Sequence, residues 1–260
     1  MTFAQTPSTR FAAVFAPLAI LAIPGTVSAQ DSDDFDPQGG VYVSVSGGIT
    51  SPTDSIFEGT QAPEGASPGV AGAPASVAVG FEDDFVGTAA IGYRIPTKVF
   101  GVFQPSVEIE YSRSEPGVEE GAFNGGNQTF GGDFEVNTFS INYQSDIRWS
   151  DKQTIIPFLG GGIGIADVEA NATYFPNNGI ATAPTFAVRD SDTALSLQSN
   201  AGVTFVINEN FDLNTRVRYQ RISGLDLDRR FIAAGNDAFN ARLNGDYETV
   251  SLLAGVRYRF

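Results

Sequence analysis

The chain predicts an all-β fold, an eight-stranded antiparallel up-and-down transmembrane β-barrel, and three observations carry that expectation. Eight segments of roughly 9–13 residues alternate apolar with polar side chains, the length a tilted strand needs to cross a bilayer. The connections between them run long, short, long, short, long, short, long. Tight turns at one rim and longer loops at the other produce that rhythm. The last segment, residues 248–260, is itself two-faced and ends on an aromatic, Phe260. In an open sheet it would be an unpaired edge, so closure is the natural solution.

The elements follow in order. Residues 40–50 place Val41, Val43, Val45 and Ile49 on one face and Ser44, Ser46 and Thr50 on the other. Residues 51–84 read as a Gly-, Ala- and Pro-rich acidic loop containing no base. The second strand, 85–95, sets Phe85, Ala89, Ile91, Tyr93 and Ile95 opposite Thr88 and Arg94. In the third, Pro105, Val107, Ile109 and Tyr111 alternate with Ser106, Glu108, Glu110 and Ser112, and a polar loop over 113–133 follows. The fourth, 135–149, has Phe139, Ile141, Tyr143, Ile147 and Trp149 against Thr138, Ser140, Asn142, Gln144, Asp146 and Arg148.

A tight turn at 150–153 leads to the fifth strand, where Ile155, Leu159, Ile163 and Ile165 face away from Gly160, Gly162 and Gly164. Glycines there predict a wall crowded by large side chains from across a narrow lumen, or a strongly bent strand. After a long loop over 167–191, the sixth strand sets Leu195, Leu197, Ala201, Val203, Phe205 and Ile207 opposite Ser196, Gln198, Asn200 and Thr204. The turn 208–210 leads to the seventh, with Phe211, Leu213, Val217 and Tyr219 opposite Asp212, Asn214, Arg216, Arg218 and Gln220. A fourth long loop, 223–247, precedes the closing strand. That strand sets Val250, Leu252, Ala254, Val256, Tyr258 and Phe260 against Ser251, Gly255, Arg257 and Arg259, with Leu253 as the exception in the polar row.

Composition narrows the function classes. With 42% hydrophobic and 17% charged residues, the chain is too apolar to stay disordered. It has no cysteine, which removes disulfides and thiolate metal sites, and no histidine, which removes most general-base, triad and zinc chemistry. Residues 1–29 read as a signal peptide. Arg10 is their only charge, an apolar core spans 11–23, and Val27-Ser28-Ala29 precedes a cut between Ala29 and Gln30. Residues 30–39 form an acidic N-terminal segment and 40–260 the barrel domain. Removing 1–29 takes away one base and no acid, leaving 14 bases against 30 acids, net −16. That balance argues against nucleic acid as a partner.

Which face points inward decides the class. The polar row carries Arg94, Glu108, Glu110, Asp146, Arg148, Asp212, Arg216, Arg218, Arg257 and Arg259, while the other row is aliphatic and aromatic. A soluble barrel would turn the apolar row inward around a ligand, and a membrane barrel would turn it outward. Three features favour the membrane. The pattern recurs in every candidate strand. Aromatics sit near strand ends (Tyr93, Tyr111, Tyr143, Trp149, Phe211, Tyr219, Tyr258, Phe260), as interfacial girdles require. The terminal strand interleaves arginines with lipid-type aromatics.

The ending Gly255-Val256-Arg257-Tyr258-Arg259-Phe260 resembles the carboxy-terminal assembly signal of bacterial outer-membrane proteins, with Gly255, Tyr258 and Phe260 as its marks. Leu253 departs from it, standing where that signal prefers a polar residue. With the export segment and loop rhythm, the chain is similar over about 40–260 to small Gram-negative outer-membrane barrels of the OmpA/OmpX and opacity-protein type. The resemblance implies a cell-envelope location and periplasmic termini. It also implies the lipid bilayer, lipopolysaccharide and the outer-membrane barrel assembly machinery as partners. A surface role through four external acidic loops, with a surface ligand of unspecified chemistry, is the expected function. A small porin or channel for ions or hydrophobic solutes is the alternative.

The ten lumen charges fit a salt-bridged plug better than a charge-selective pore, because side chains normally fill an eight-stranded interior. The acidic loops lack the regular ligand spacing of a calcium motif, so solvated surface charge is the simpler reading. Gly160 to Gly164 lies within a strand with no lysine following and is no phosphate loop. No catalytic residue, metal site or cofactor is expected, and no enzyme activity.

Overall fold

A computed structural model describes residues 39–150 and 152–260. The export segment 1–29 with its cut at Ala29 and Gln30, and the acidic stretch 30–38, lie outside the described residues, as does Asp151 of the 150–153 turn. The strands in chain order are β1 (Gly40–Pro52), β2 (Ser55–Gln61), β3 (Pro74–Phe81), β4 (Asp84–Arg94), β5 (Phe103–Ser114) and β6 (Val118–Phe123). They continue as β7 (Gln128–Ile147), β8 (Ile155–Pro176), β9 (Phe186–Val206), β10 (Phe211–Phe231) and β11 (Ala238–Arg259).

Eight of them, β1, β4, β5, β7, β8, β9, β10 and β11, form an antiparallel ring that β1 and β11 close, with Val45 opposite Val256 and Ile49 opposite Leu252. The backbone N–H of Phe260 donates to Val41 O at 3.1 Å and that of Arg259 to Asn210 O at 2.7 Å, so pairing continues to the end of the strand. Both ends of the ring's chain therefore lie at the rim bearing the short connections, here the lower rim.

The four expected loops are a different matter. β7 has 20 residues, β8 and β11 have 22, and β9 and β10 have 21. At about 3.3 Å per residue they run roughly 65–70 Å, far beyond a lipid-facing band of about 25 Å even when tilted. Most of 167–191 and 223–247 is upper strand. The 51–84 region contains β2 and β3, and 113–133 contains β6 and the start of β7.

Where β1, β4 and β5 stop, these added strands take over the wall. β2 pairs with upper β11 (Gly59 opposite Leu243), β3 with β2, and β6 with β3. β6 lies beside β7, where Gly117 bridges Asp133 and the Phe134 N–H donates to Pro116 O at 3.0 Å.

The reason is a polarity exchange between the two rows of each long strand. In β8 the outward row changes from Leu159, Ile163 and Ile165 to Asp167, Glu169 and Asn171, and the inward row from glycines to Val168, Ala170, Ala172 and Tyr174. In β10, inward Arg216, Arg218 and Gln220 give way to Ile222, Leu225 and Leu227, across a register shift after Ile222. In β11, inward Ser251 and Thr249 give way to Tyr247 and Leu243, while outward Leu252 and Val250 give way to Glu248 and Asp246. β7 changes at Val136 and Thr138. Ile165 is 59% exposed whereas Val168, three residues on, is 0%, so alternation persists while its meaning reverses. Above the exchange the barrel holds an ordinary apolar core, with Phe81 edge-on to Phe134 (5.0 Å) and Tyr247 (5.4 Å) and Phe57 stacked on Phe134 (6.1 Å).

Candidate functional site in the charged lumen

Each of the ten charges points into the lower half of the ring, where strand alternation and closure leave it little else to meet. Nine are buried and Arg148 is half-buried near the lower rim. They fall into two groups. In the lower one, Arg94 Nη2 lies 3.3 Å from Asp146 and 3.8 Å from Asp212, while Arg148 is 4.0 Å from Asp146 and Arg259 is 3.0 Å from Asp212. Arg259 also donates to Asn208 O at 2.6 Å, fastening the lowest turn. Arg257 donates to Glu108 Oε1 at 3.2 Å and to Gln144 Oε1 at 3.4 Å, and Gln144 donates to Asp146 at 2.9 Å. Higher up, Arg216 and Arg218 share one carboxylate: Arg216 donates to Glu110 Oε2 and, at 3.2 Å, to Thr88, and Arg218 donates to Glu110 Oε1 at 3.1 Å.

Tyr42 joins this set although the sequence reading passes over it. Its hydroxyl donates to Glu108 at 2.8 Å, its ring lies 4.4 Å beneath the Arg257 guanidinium, and it rests where a side chain on Gly92 would stand. Parity was the available signal, since Tyr42 falls in the same row as Ser44 and Ser46.

The glycines of β8 also have a local cause. A Cβ on Gly160 or Gly164 would strike the β7 backbone, and one on Gly162 would strike the Asn142 side chain. The crowding therefore comes from the adjacent strand rather than from across the lumen. Over that glycine floor Gln198 donates to Asn142 and, at 2.9 Å, to Ser140. One level up, Gln220 bridges Thr138 and Ser196, both at 2.9 Å. Charged residues inside a low-dielectric wall demand such partners. Removing one member of a buried pair typically costs about 3–5 kcal/mol.

The upper core has a polar element of its own that sequence reasoning assigned to a loop. Arg229, 2% exposed, lies between the rings of Phe123 and Phe186, each 3.8 Å from its guanidinium carbon. It donates to the Tyr174 hydroxyl and to Asn240 Oδ1, and Asn240 donates to Ser67 (2.8 Å) and Pro68 O (2.9 Å). Tyr174 also stacks on Phe130 at 4.5 Å. Burial lowers the Arg229 pKa and lifts that of Tyr174 to about 12. This clasp fastens the β2–β3 connection to the top of the barrel.

At the closing strand, the Tyr258 ring meets Phe211 and Phe260, both at 5.0 Å, on the exterior, and a side chain on Gly255 would strike Ser46.

The chain matches the family described as "Outer membrane protein beta-barrel domain" over residues 14–260. No curated protein matches it. Among solved structures it is similar to the outer membrane protease OmpT from Escherichia coli (9% identity, 88% of this chain and 99% of that one, TM-score 0.51). It is also similar to OprG from Pseudomonas aeruginosa (14%, 87% and 99%, TM-score 0.49) and to Neisserial surface protein A (17%, 85% and 97%, TM-score 0.41). At 9% identity the likeness to OmpT concerns the fold alone.

Proposed function

Because the chain belongs to the outer membrane β-barrel domain family and resides in the outer membrane, we propose that it is a non-conducting surface scaffold. In this reading a filled barrel carries an acidic upper wall outside the cell. The observation that supports it is the filling of the interior at two levels by opposite means, charge networks below and an apolar core above. The surface it presents is strongly anionic. Residues 51–85, 113–137, 166–192 and 221–248 hold 20 acids against 6 arginines, one of which, Arg229, is buried in the upper core. Charge of that density suits a cationic ligand or surface and repels other anionic envelopes. The role is non-catalytic, in keeping with a sequence that has no histidine or cysteine.

Planar-bilayer recording of the purified protein tests the plug. No stable unitary steps are expected, and reproducible ion-selective steps would replace this reading with the small-channel one.

Residues 1–29 are then the export signal, removed between Ala29 and Gln30, and the short turns and termini face the periplasm; sequencing the mature amino terminus checks the cut. Gly255, Tyr258 and Phe260 act as the mark read by the barrel assembly machinery. Deleting Phe260 is expected to slow insertion several-fold while leaving the unfolding midpoint of inserted protein nearly unchanged. Pulse-chase acquisition of heat-modifiable mobility measures the first, and insertion at the normal rate would exclude the role.

A further inference from the structure

Glu110, Arg216 and Arg218 sit inside the apolar band, with lipid-facing Ile109, Tyr111, Val217 and Tyr219 as their sequence neighbours. One carboxylate serves two guanidiniums: Oε1 accepts from Arg218 and Oε2 from Arg216. An arginine keeps its proton under all ordinary conditions, so this trio carries one uncompensated positive charge. Its donors are also in excess. Arg218 is 2% and Arg216 7% exposed, and the Nε of each has no hydrogen-bond partner. Both side chains project from one face of β10, two residues apart, so the two orphan donors belong to one wall of the lumen. Thr88 offers Arg216 a neutral acceptor at 3.2 Å, which satisfies a proton without balancing charge.

A buried charge without a counter-charge is strongly disfavoured, and water cannot supply one. From this geometry we infer that the Arg216–Glu110–Arg218 trio is a binding site for a small monovalent anion of the halide class, held by the Arg216 and Arg218 Nε–H groups. The narrow, side-chain-filled interior of an eight-stranded barrel selects a monatomic ion over a larger oxyanion. Entry is from the lower rim, because above Gln220 the inward row becomes Ile222, Leu225 and Leu227, all fully buried. The site is independent of whether the lumen conducts, since a resident ion can be held in a plug as well as in a pore.

The test uses the full mature protein in detergent. Crystals grown in sodium bromide should show an anomalous peak beside the Arg216 and Arg218 Nε atoms. In solution, chloride-35 NMR should show saturable line broadening that bromide displaces. Arg218→Gln leaves one guanidinium for one carboxylate and should weaken that binding at least tenfold, whereas the exposed Arg242→Gln should leave it unchanged. A lumen without bromide in the wild-type map overturns the inference, as does broadening that Arg218→Gln does not alter. If Arg218→Gln fails to fold, the wild-type map decides alone.

Discussion

Below the level of Ile165 the barrel keeps its charges inside and its aliphatic side chains outside; above it, the same strands do the opposite. The lower half has no continuous apolar core. Its interior is mainly ion pairs and amide bridges, with Ile156, Phe158 and Leu253 buried among them, and the hydrocarbon around it supplies no drive to bury more. The upper half behaves as a water-soluble barrel does, with Phe57, Phe81, Phe134 and Tyr247 packed inside and carboxylates outside. One backbone pattern accommodates both because alternation specifies two faces and leaves the surroundings to decide which is the interior.

The sharpest way to break this comparison is to remove one charge from each half. Glu110→Gln strands Arg216 and Arg218 in the lumen, and a loss of about 3–5 kcal/mol is expected in denaturant unfolding. Asp228→Asn removes a carboxylate that faces Arg230 at 3.6 Å and the exposed Arg242 at 3.3 Å on the upper surface, where about 0–1 kcal/mol is at stake. Equal losses would show that the halves are not distinct environments.

A second pair probes the outward row of β8 alone. Ile163→Arg meets lipid and should cost about 2–4 kcal/mol if it lies near the bilayer midplane, less toward its edge. Thr173→Arg, on the same face ten residues on, meets water and should change the stability by no more than about 0.5 kcal/mol. The smallest expected effect concerns pH. Burial raises Tyr174 from its ordinary 10.0 to about 12, so the folded upper half favours the neutral phenol. Its contribution is complete below pH 10 and is lost as pH rises from 10 to 12. Protease cleavage of the upper strands should therefore accelerate between pH 9 and about 11.5 in the wild type, and less so in Tyr174→Phe.

Much of the lower half is legible in the sequence because its two rows differ so plainly: Phe139, Ile141 and Tyr143 against Ser140, Asn142 and Gln144 give the strand and its faces together. The upper half reads as loop because its inward residues are small, as with Ala166, Ala170 and Ala172, and its outward ones acidic. An alternation of alanine with aspartate looks like solvated coil unless the preceding strand is extended through it. The ion-pair partners were never legible. That Glu110 on β5 meets Arg216 and Arg218 on β10 depends on barrel stagger, which strand count does not determine.

The β8 crossover from Ile165 to Asp167 has a further consequence, for vertical position. A barrel with a long uniform apolar exterior can ride up or down by several ångströms as bilayer thickness varies. This one carries its own depth mark. Sinking by two residues would drive Asp167, Glu248 and Asn137 into hydrocarbon, and rising by two would lift Ile165, Val250 and Phe139 into water. Thinner or thicker membranes must therefore adjust to the protein, with the lipid stretching or compressing around a fixed waterline.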